Sequence, residues 1–482
     1  MISKRIFFLS VALVLFIGTV TAQWTQIREG IDYREYTLTG PNNVFVTRMD
    51  RSNTDCIIDS CIAQGTLTGG KERVSGMANR YDETIGYWGQ SWGQRYEVVA
   101  AINGDGFSTI QPTGGQIISG WYAKRFGEFY GGGFVWTLNR GVFMGECVRH
   151  ISNKNIIAYP ATGQKQNING INESPGADEI VIFTPQYGNS TGTGAGVSEV
   201  LVEMPRPLLI MPLSNYVTGH VSQVRASQGN TSIPFDHLVL SATGSAESKL
   251  LSNVSVGDEI RISQEITHYK QDCSTPNSGD YSKAYCTIGF MAFMFLKDGV
   301  VQSTTNTDIH PRTAVAYNDD YIFFVVVDGR DLGVSIGMTY TELGNFCKND
   351  LGATWGVNQD GGGSSTMWVD GEVKNNPSDG SERYVTNGLM MIRVQPMSLS
   401  TTFDPTDSIT ASSSSQLRLG PGTLYGSITT LSPGQSGSVL DHTINGVLAK
   451  GQYWWKTDFG GNVGWVSESS INHTVVDDWS LY

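Results

Sequence analysis

Ten residues carry the densest chemistry in this chain: Asn358-Gln359-Asp360-Gly361-Gly362-Gly363-Ser364-Ser365-Thr366-Met367. Three consecutive glycines leave the backbone bare, so a ligand can approach it closely. Successive amides in such a loop can form an anion-binding nest. Asp360 and Asn358 stand at its mouth, and Ser364, Ser365 and Thr366 add hydroxyls. A glycine run also serves as a plain tight turn. Two other readings fail on spacing. No Lys follows the glycines, as a Walker-type nucleotide loop requires. Gly363-Ser364-Ser365-Thr366 also misses the G-x-S-x-G pattern of a nucleophile elbow.

The string as a whole resembles the signature of the phosphodiester glycosidase family, N-x-D-G-G-G-S-S-T-M. Further matches flank it in the family's order. They are His310-Pro311-Arg312-Thr313-Ala314, Asp328-Gly329-Arg330 and Gly337-Met338-Thr339, then Asn375, Pro377, Ser378-Asp379-Gly380, Glu382-Arg383 and Asn387. Asn103-Gly104-Asp105-Gly106-Phe107 is similar to an Asn-Gly-rich, Phe-containing string of the family. Asp105 stands where a Gly or neutral residue is expected, which marks it as local rather than shared chemistry. The resemblance runs from Gly30 to Val394 and is firmest over His310–Asn387.

The resemblance implies hydrolysis of a glycosidic bond to a phosphodiester, releasing a sugar and leaving a phosphomonoester. Such a bond breaks through a cationic, oxocarbenium-like sugar carbon. Its leaving group is already an anion of low basicity, so electrostatic stabilisation by Arg groups and backbone amides matters more than protonation. Arg312, Arg330 and Arg383 are the implied phosphate ligands. A carboxylate must activate water or attack directly. Asp360 is the first candidate, Asp328 the second, with Asp379 and Glu382 behind them. Asn103, His310, Asn358, Gly361, Gly362, Gly363, Ser364 and Ser365 complete the expected substrate site. The distance between carboxylates, and so retention or inversion, stays open. No cofactor is expected. A divalent cation is compatible with so many Asp and Asn side chains, but no loop pattern identifies one. Three alternatives remain: a glycan- or cell-wall-binding protein without turnover, an adhesive surface protein, and a phosphodiesterase cutting the phosphate side of the bond.

These residues need a scaffold. The pattern predicts an α+β chain: a β-rich mixed catalytic domain over 23–396, a Ser/Thr-rich linker over 397–415, and a small all-β SH3-like barrel over 416–472. Helices are predicted over Val74–Thr84 and Tyr340–Asn349, the latter with Thr339 as N-cap and Glu342 three residues on. Tyr96–Ile102 and Tyr321–Val327 read as buried strands. Leu417–Gly422 and Gly464-Trp465-Val466 resemble the ends of a bacterial SH3-like module, which implies a cell-wall or peptide ligand. Met1–Ala22 has the basic, apolar and small-residue regions of a signal peptide. Export and a soluble mature chain without a membrane span follow, unlike the membrane-anchored animal members of the family. A net charge of −13 argues against nucleic acid or an anionic membrane as partner. Six cysteines in an exported chain suggest disulfides. The local pairs are Cys56–Cys61 and Cys273–Cys286, the latter favoured, which leaves Cys147–Cys347. No cysteine spacing suggests zinc.

Overall fold

Alternation along the strand Tyr321–Val327 shows how the core is built. Ile322, Phe324 and Val326 enter one hydrophobic cluster, while Phe323, Val325 and Val327 enter another. Both faces are buried, which is why the strand reads as a continuous apolar run. The computed structural model describes residues 23–127, 131–207, 215–268, 281–282 and 284–474. The signal-peptide segment 1–22 lies outside them. The strand belongs to an eight-stranded sheet, ordered 25–28, 31–38, 42–50, 321–327, 312–317, 355–358, 296–297 and 300–301. Neighbours throughout are antiparallel.

Each face of this sheet has its own cover. On one side lie Leu343, Phe346 and Cys347 of a helix spanning Tyr340–Asn349. Its start is closed by the predicted capping box: Glu342 N–H donates to Thr339 Oγ1 at 3.2 Å, and Thr339 N–H to Glu342 Oε2 at 2.8 Å. On the other side, Val315, Phe324 and Val357 share a cluster with Ile58, Val98, Ala100, Leu389 and Met391. Those residues come from a second antiparallel sheet, ordered 372–373, 367–369, 91–103, 387–395 and 56–62. A helix spanning Val74–Tyr81 adds Met77, Ala78 and Tyr81 to the same cluster.

The chain leaves the first sheet at Asn358 and enters the second at Met367. The glycine string therefore bridges the two. Register brings the other motifs to the same end: Arg312 pairs with Val327, Ala314 with Asn358, Met367 with Ile102, and Gly388 with Asn103.

Two further sheets extend the body, one of five strands within 116–292 and one of eight strands within 156–263, flanked by a helix over Gly244–Leu251. The α+β expectation is thus corrected. Among the described residues there are thirty-seven strands and three α-helices, so the chain is predominantly β. No helix among them is long and apolar enough to cross a membrane.

The separate SH3-like barrel is corrected as well. Strands from 408 to 473 form one eight-stranded antiparallel sheet. Residues 408–411 are a strand of that sheet, and Phe403 and Ile409 lie in its core, so the Ser/Thr-rich segment does not run free as a tether. Its average composition hid a Ser-Ile-Thr-Ala alternation that buries every second residue. Nor does the sheet stand apart. Ile444, Val447, Trp454 and Trp465 share a cluster with Trp92, Trp121, Leu238 and Leu240 of the body. Trp465 packs edge-on against Phe235, with ring centroids 5.7 Å apart.

The cysteine pairs also differ from expectation. Cys56, Cys61, Cys286 and Cys347 are free buried thiols, so none of the three anticipated bridges forms, the favoured Cys273–Cys286 included. Cys273 lies outside the described residues. Each free thiol sits on a strand or helix face that fills a core cluster, where a cysteine serves as a small apolar side chain.

Shared packing of the C-terminal sheet has a measurable consequence. Trp465→Ala removes a ring that is 1% exposed, and the expected cost is about 3–5 kcal/mol in urea unfolding. Limited proteolysis of the unaltered chain should spare residues 401–415 and cut there in the variant. Ready cleavage of the unaltered chain at that segment would contradict the shared core.

Candidate active site

Asn103 holds the glycine string in place. It ends the strand Ser91–Asn103 and is fully buried. Its Oδ1 accepts from Thr313 Oγ1 at 2.8 Å and from Thr366 N–H at 3.1 Å. Its Nδ2 donates to the Asp360 carbonyl at 2.7 Å. One amide thus ties together three chain segments. Backbone bonds complete the frame: Asp360 N–H to Gly104 O at 2.9 Å, Gln359 N–H to Thr313 O at 2.7 Å, and Gly362 N–H to Pro311 O at 2.9 Å.

Two arginines close on the glycines. A Cβ at Gly362, whose φ is +64°, would lie 2.9 Å from Arg330 Nη2. A Cβ at Gly363 would lie 2.2 Å from Arg383 Nη2 and 2.2 Å from Asp379 Oδ2. Any side chain here would displace the guanidinium groups. Arg330 itself has φ +65°, a conformation that non-glycine residues seldom adopt. It is held there by its N–H bond to Ile336 O at 3.2 Å and the tight turn joining Asp331 and Ser335. Its side chain is exposed, whereas Arg383 is paired with Asp379 at 2.6 Å and reaches Ser364 Oγ at 3.4 Å.

The four candidate carboxylates have different surroundings. Burial raises the pKa of Asp360, opposed by the Ser364 hydroxyl, the Arg383 charge and the Gly361 N–H. Burial also raises that of Asp328, opposed by Asn375 and Asn376. Asn375 Nδ2 donates to Asp328 Oδ1 at 3.0 Å and to Ser365 O at 3.0 Å, while Asn375 Oδ1 accepts from Met367 N–H at 2.8 Å. Asp328 thus secures the far end of the string. Asp379 is engaged with Arg383. Glu382 is turned to the start of the Val74–Tyr81 helix, where it accepts from Ser75 N–H at 3.0 Å and from the Ser75 hydroxyl. Acceptors at a helix N-terminus satisfy orphan amides, which is a supporting role.

Arg312 and His310 lie differently from what the motif implies. Thr313 points toward Asn103, so its neighbour Arg312 points to the opposite face of the sheet. There Arg312 Nε donates to Met338 O at 2.8 Å, Nη2 to Asp308 O at 2.6 Å, and the guanidinium covers the Tyr340 ring at 4.0 Å. Those contacts hold the Arg312 guanidinium on the Tyr340 face. The His310 backbone bridges to Met338, packed against Gly337. Asn358 Nδ2 donates to the Gln359 carbonyl, and Asn358 Oδ1, Ser365 Oγ and Thr366 Oγ1 are buried without a protein partner.

Sequence reasoning set aside one residue that the fold brings in. Asp105 is 5% exposed and its pKa is pushed up to about 7. Burial is the largest cause and the Asp360 charge adds to it, while the Gly114 and Gly106 amides and Lys124 oppose. Its departure from the family string was the available signal. Asn375, Asn387 and Gln359 were matched or passed over as motif letters, yet all three are buried in the frame.

An open cavity of about 500 Å3 adjoins the string, lined by Lys71, Phe107, Asp379, Glu382, Arg383 and Tyr384. A larger one, about 720 Å3, lies at the seam with the C-terminal sheet, around Asp236, His237 and Lys456. The seam carries the only described cluster with metal-ligating geometry, Glu203, Asp236 and His442 within 4.8 Å. Lys456 Nζ already stands there, 2.9 Å from Glu203 and 3.3 Å from Asp236. Its ammonium supplies the cation there, which makes the seam an ion-paired interface network.

Asn103→Ala tests the frame. It leaves Thr313 Oγ1, Thr366 N–H and the Asp360 carbonyl unpaired, at about 1–3 kcal/mol for each orphaned buried group. Chemical denaturation should show that loss together with reduced ligand binding at the string. A variant as stable as the parent would mean that the string is held by its backbone bonds alone.

No curated protein sequence matches the chain. Among solved structures, a hypothetical protein from Synechocystis aligns at 16% identity with a TM-score of 0.49, over 77% of this chain and 64% of that one. A protein of Burkholderia pseudomallei K96243 aligns at 18% identity and TM-score 0.47, over 74% of each chain. The catalytic domain of zebrafish N-acetylglucosamine-1-phosphodiester α-N-acetylglucosaminidase aligns at 12% identity and TM-score 0.34, over 79% of this chain and 85% of that one. Residues 216–392, which include Asp328, Arg330, the glycine string and Arg383, match the phosphodiester glycosidase family.

Proposed function

We propose that the chain is a hydrolase that cleaves the bond between sugar C1 and oxygen in a sugar-1-phosphodiester, giving free sugar and a phosphomonoester. One observation carries this reading: Arg330 and Arg383 close on adjacent glycines of a loop that also carries Asp360. That arrangement offers positive charge and bare backbone to a phosphate, with a carboxylate beside the sugar carbon.

The chemistry needs those parts. As the C1–oxygen bond breaks, its electron pair leaves with the phosphate, which gains a second negative charge. Arg330 is free of carboxylate partners among the described residues and meets that charge. Arg383 shares its charge with Asp379, Ser364 and Asp360. Asp360 takes the proton of the attacking water or stabilises the cationic carbon. Asp328 and Arg312 act on the site through the segments they hold. The family match extends to the reaction only by analogy of motif, so the products decide. Free sugar with phosphomonoester supports the reading. Sugar phosphate with free alcohol would identify a phosphodiesterase instead.

Asp360→Asn keeps size and removes charge, so turnover should fall about 10²–10⁴-fold with the melting temperature preserved. Arg330→Ala should lower turnover of phosphodiesters about 10²–10³-fold and leave binding of neutral sugars unchanged. The pH profile carries a sign. Turnover should rise as Asp360 ionises, with a midpoint above the ordinary aspartate value. Arg383→Ala removes a charge that favours the ionised form, so its acid limb should move to higher pH. An acid limb unmoved by Arg383→Ala would assign the titration to another group.

A further inference from the structure

We propose that the cavity beside Arg383 is a leaving-group subsite for an alcohol that carries a phosphate of its own, so that the substrate is a glycan whose sugars are joined by successive phosphodiesters. The inference rests on the reading of the glycine string as the phosphate site and names what lies beyond that phosphate. The cavity, about 500 Å3, is lined by Lys71, Phe107, Asp379, Glu382, Arg383 and Tyr384. Arg383 belongs to both places, because it stands over Gly363 and also lines the cavity. Asp360 does not line it, so the sugar carbon that Asp360 serves lies outside and the cavity receives the departing alcohol.

Backbone pairing fixes the walls. Glu72 and Val385 form an antiparallel bridge, with an N–H to O bond of 2.9 Å in each direction. Both side chains are buried, and Glu72 turns in to Arg80 at 3.1 Å. Alternation about Glu72 sends Lys71 and Arg73 outward, and both are exposed. Glu382 ties the facing segment down by accepting from Ser75 N–H at 3.0 Å. The Arg73 guanidinium stands over the Tyr384 ring at 5.1 Å, and Lys71 Nζ over the Phe107 ring at 4.5 Å. Neither cation has a carboxylate partner among the described residues, whereas Arg383 is paired with Asp379. In a chain of net charge −13, two such cations beside a phosphate site draw a second anion. Tyr384, 54% exposed, leaves ring surface for the sugar between the two phosphates. A small neutral alcohol would leave Lys71 and Arg73 without a counter-charge.

Two measurements test this. The first needs no turnover: calorimetry of the full chain with glucose 1,6-bisphosphate and glucose 6-phosphate, which imitate the departing product with and without a second phosphate. The bisphosphate should bind about tenfold tighter at low salt, and the preference should shrink as salt is added. Lys71→Gln combined with Arg73→Gln, both at exposed positions, should cut the preference to within about twofold in a protein that melts normally. Equal binding of the two probes by the unaltered chain, or a preference that survives the double variant, overturns the proposal. The second measurement compares kcat/KM for diesters of one sugar whose departing alcohols are methanol, a neutral sugar and a phosphorylated sugar. The phosphorylated alcohol should be favoured, and Tyr384→Ala should lower the ratio of either sugar alcohol to methanol through KM. Ratios near one for all three alcohols in the unaltered chain, or ratios indifferent to Tyr384→Ala, overturn it. If no diester is hydrolysed, the hydrolase reading fails while calorimetry still reads the subsite on its own.

Discussion

The site depends on one buried amide. Asn103 accepts from Thr313 of the first sheet and from Thr366 at the end of the string, and donates to the Asp360 carbonyl. Those bonds fasten a loop rich in glycine at the place where it crosses between two sheets. Glycine costs the most conformational entropy on ordering, so such a crossing needs fixed partners at both ends. Asn103 supplies them at both ends, and Asn375, gripped by Asp328, adds two more at the Ser365–Met367 end. The three glycines then answer to packing rather than flexibility, because Pro311, Arg330 and Arg383 occupy the space their side chains would take.

Charge is distributed with the same economy. Asp379 engages Arg383, Asp328 is occupied by Asn375 and Asn376, and Glu382 serves a helix start. Asp360 is left with only a hydroxyl, an amide and a shared guanidinium. The contrast lies with the seam of the C-terminal sheet. There Asp236 is held well below the usual carboxylate range, despite the cost of burial, by His237, His442 and Lys456. A carboxylate so fully paired contributes cohesion, while an under-paired one has capacity left for a ligand.

Much of the local structure around the candidate site was legible in the sequence because it is set by short contiguous stretches. The Thr339–Glu342 cap, the helix after it and the strand before Asp328 follow directly from local pattern. Long-range placement was not legible. Arg312 and Thr313 are adjacent letters of one motif, yet strand alternation sends Thr313 to Asn103 and Arg312 to Tyr340 on the other face. Glu382 and Arg383 are likewise adjacent, and one caps a helix while the other covers Gly363. Asp105 looked local because the backbone bond that brings its strand end to the string, Asp360 N–H to Gly104 O, joins residues far apart in the chain. Composition misled most at the C-terminus, where a Ser/Thr-rich average concealed a strand and where Trp465 joins the core of the body.

The central claim is that bond cleavage occurs on the sugar side of the bridging oxygen, with the phosphate held by the arginines on the string. Hydrolysis of a sugar-1-phosphodiester in heavy-oxygen water reads this directly by mass spectrometry. Incorporation of the heavy oxygen at C1 of the released sugar, with none in the phosphomonoester, is the predicted result. Heavy oxygen in the phosphate would place the attack at phosphorus and contradict it.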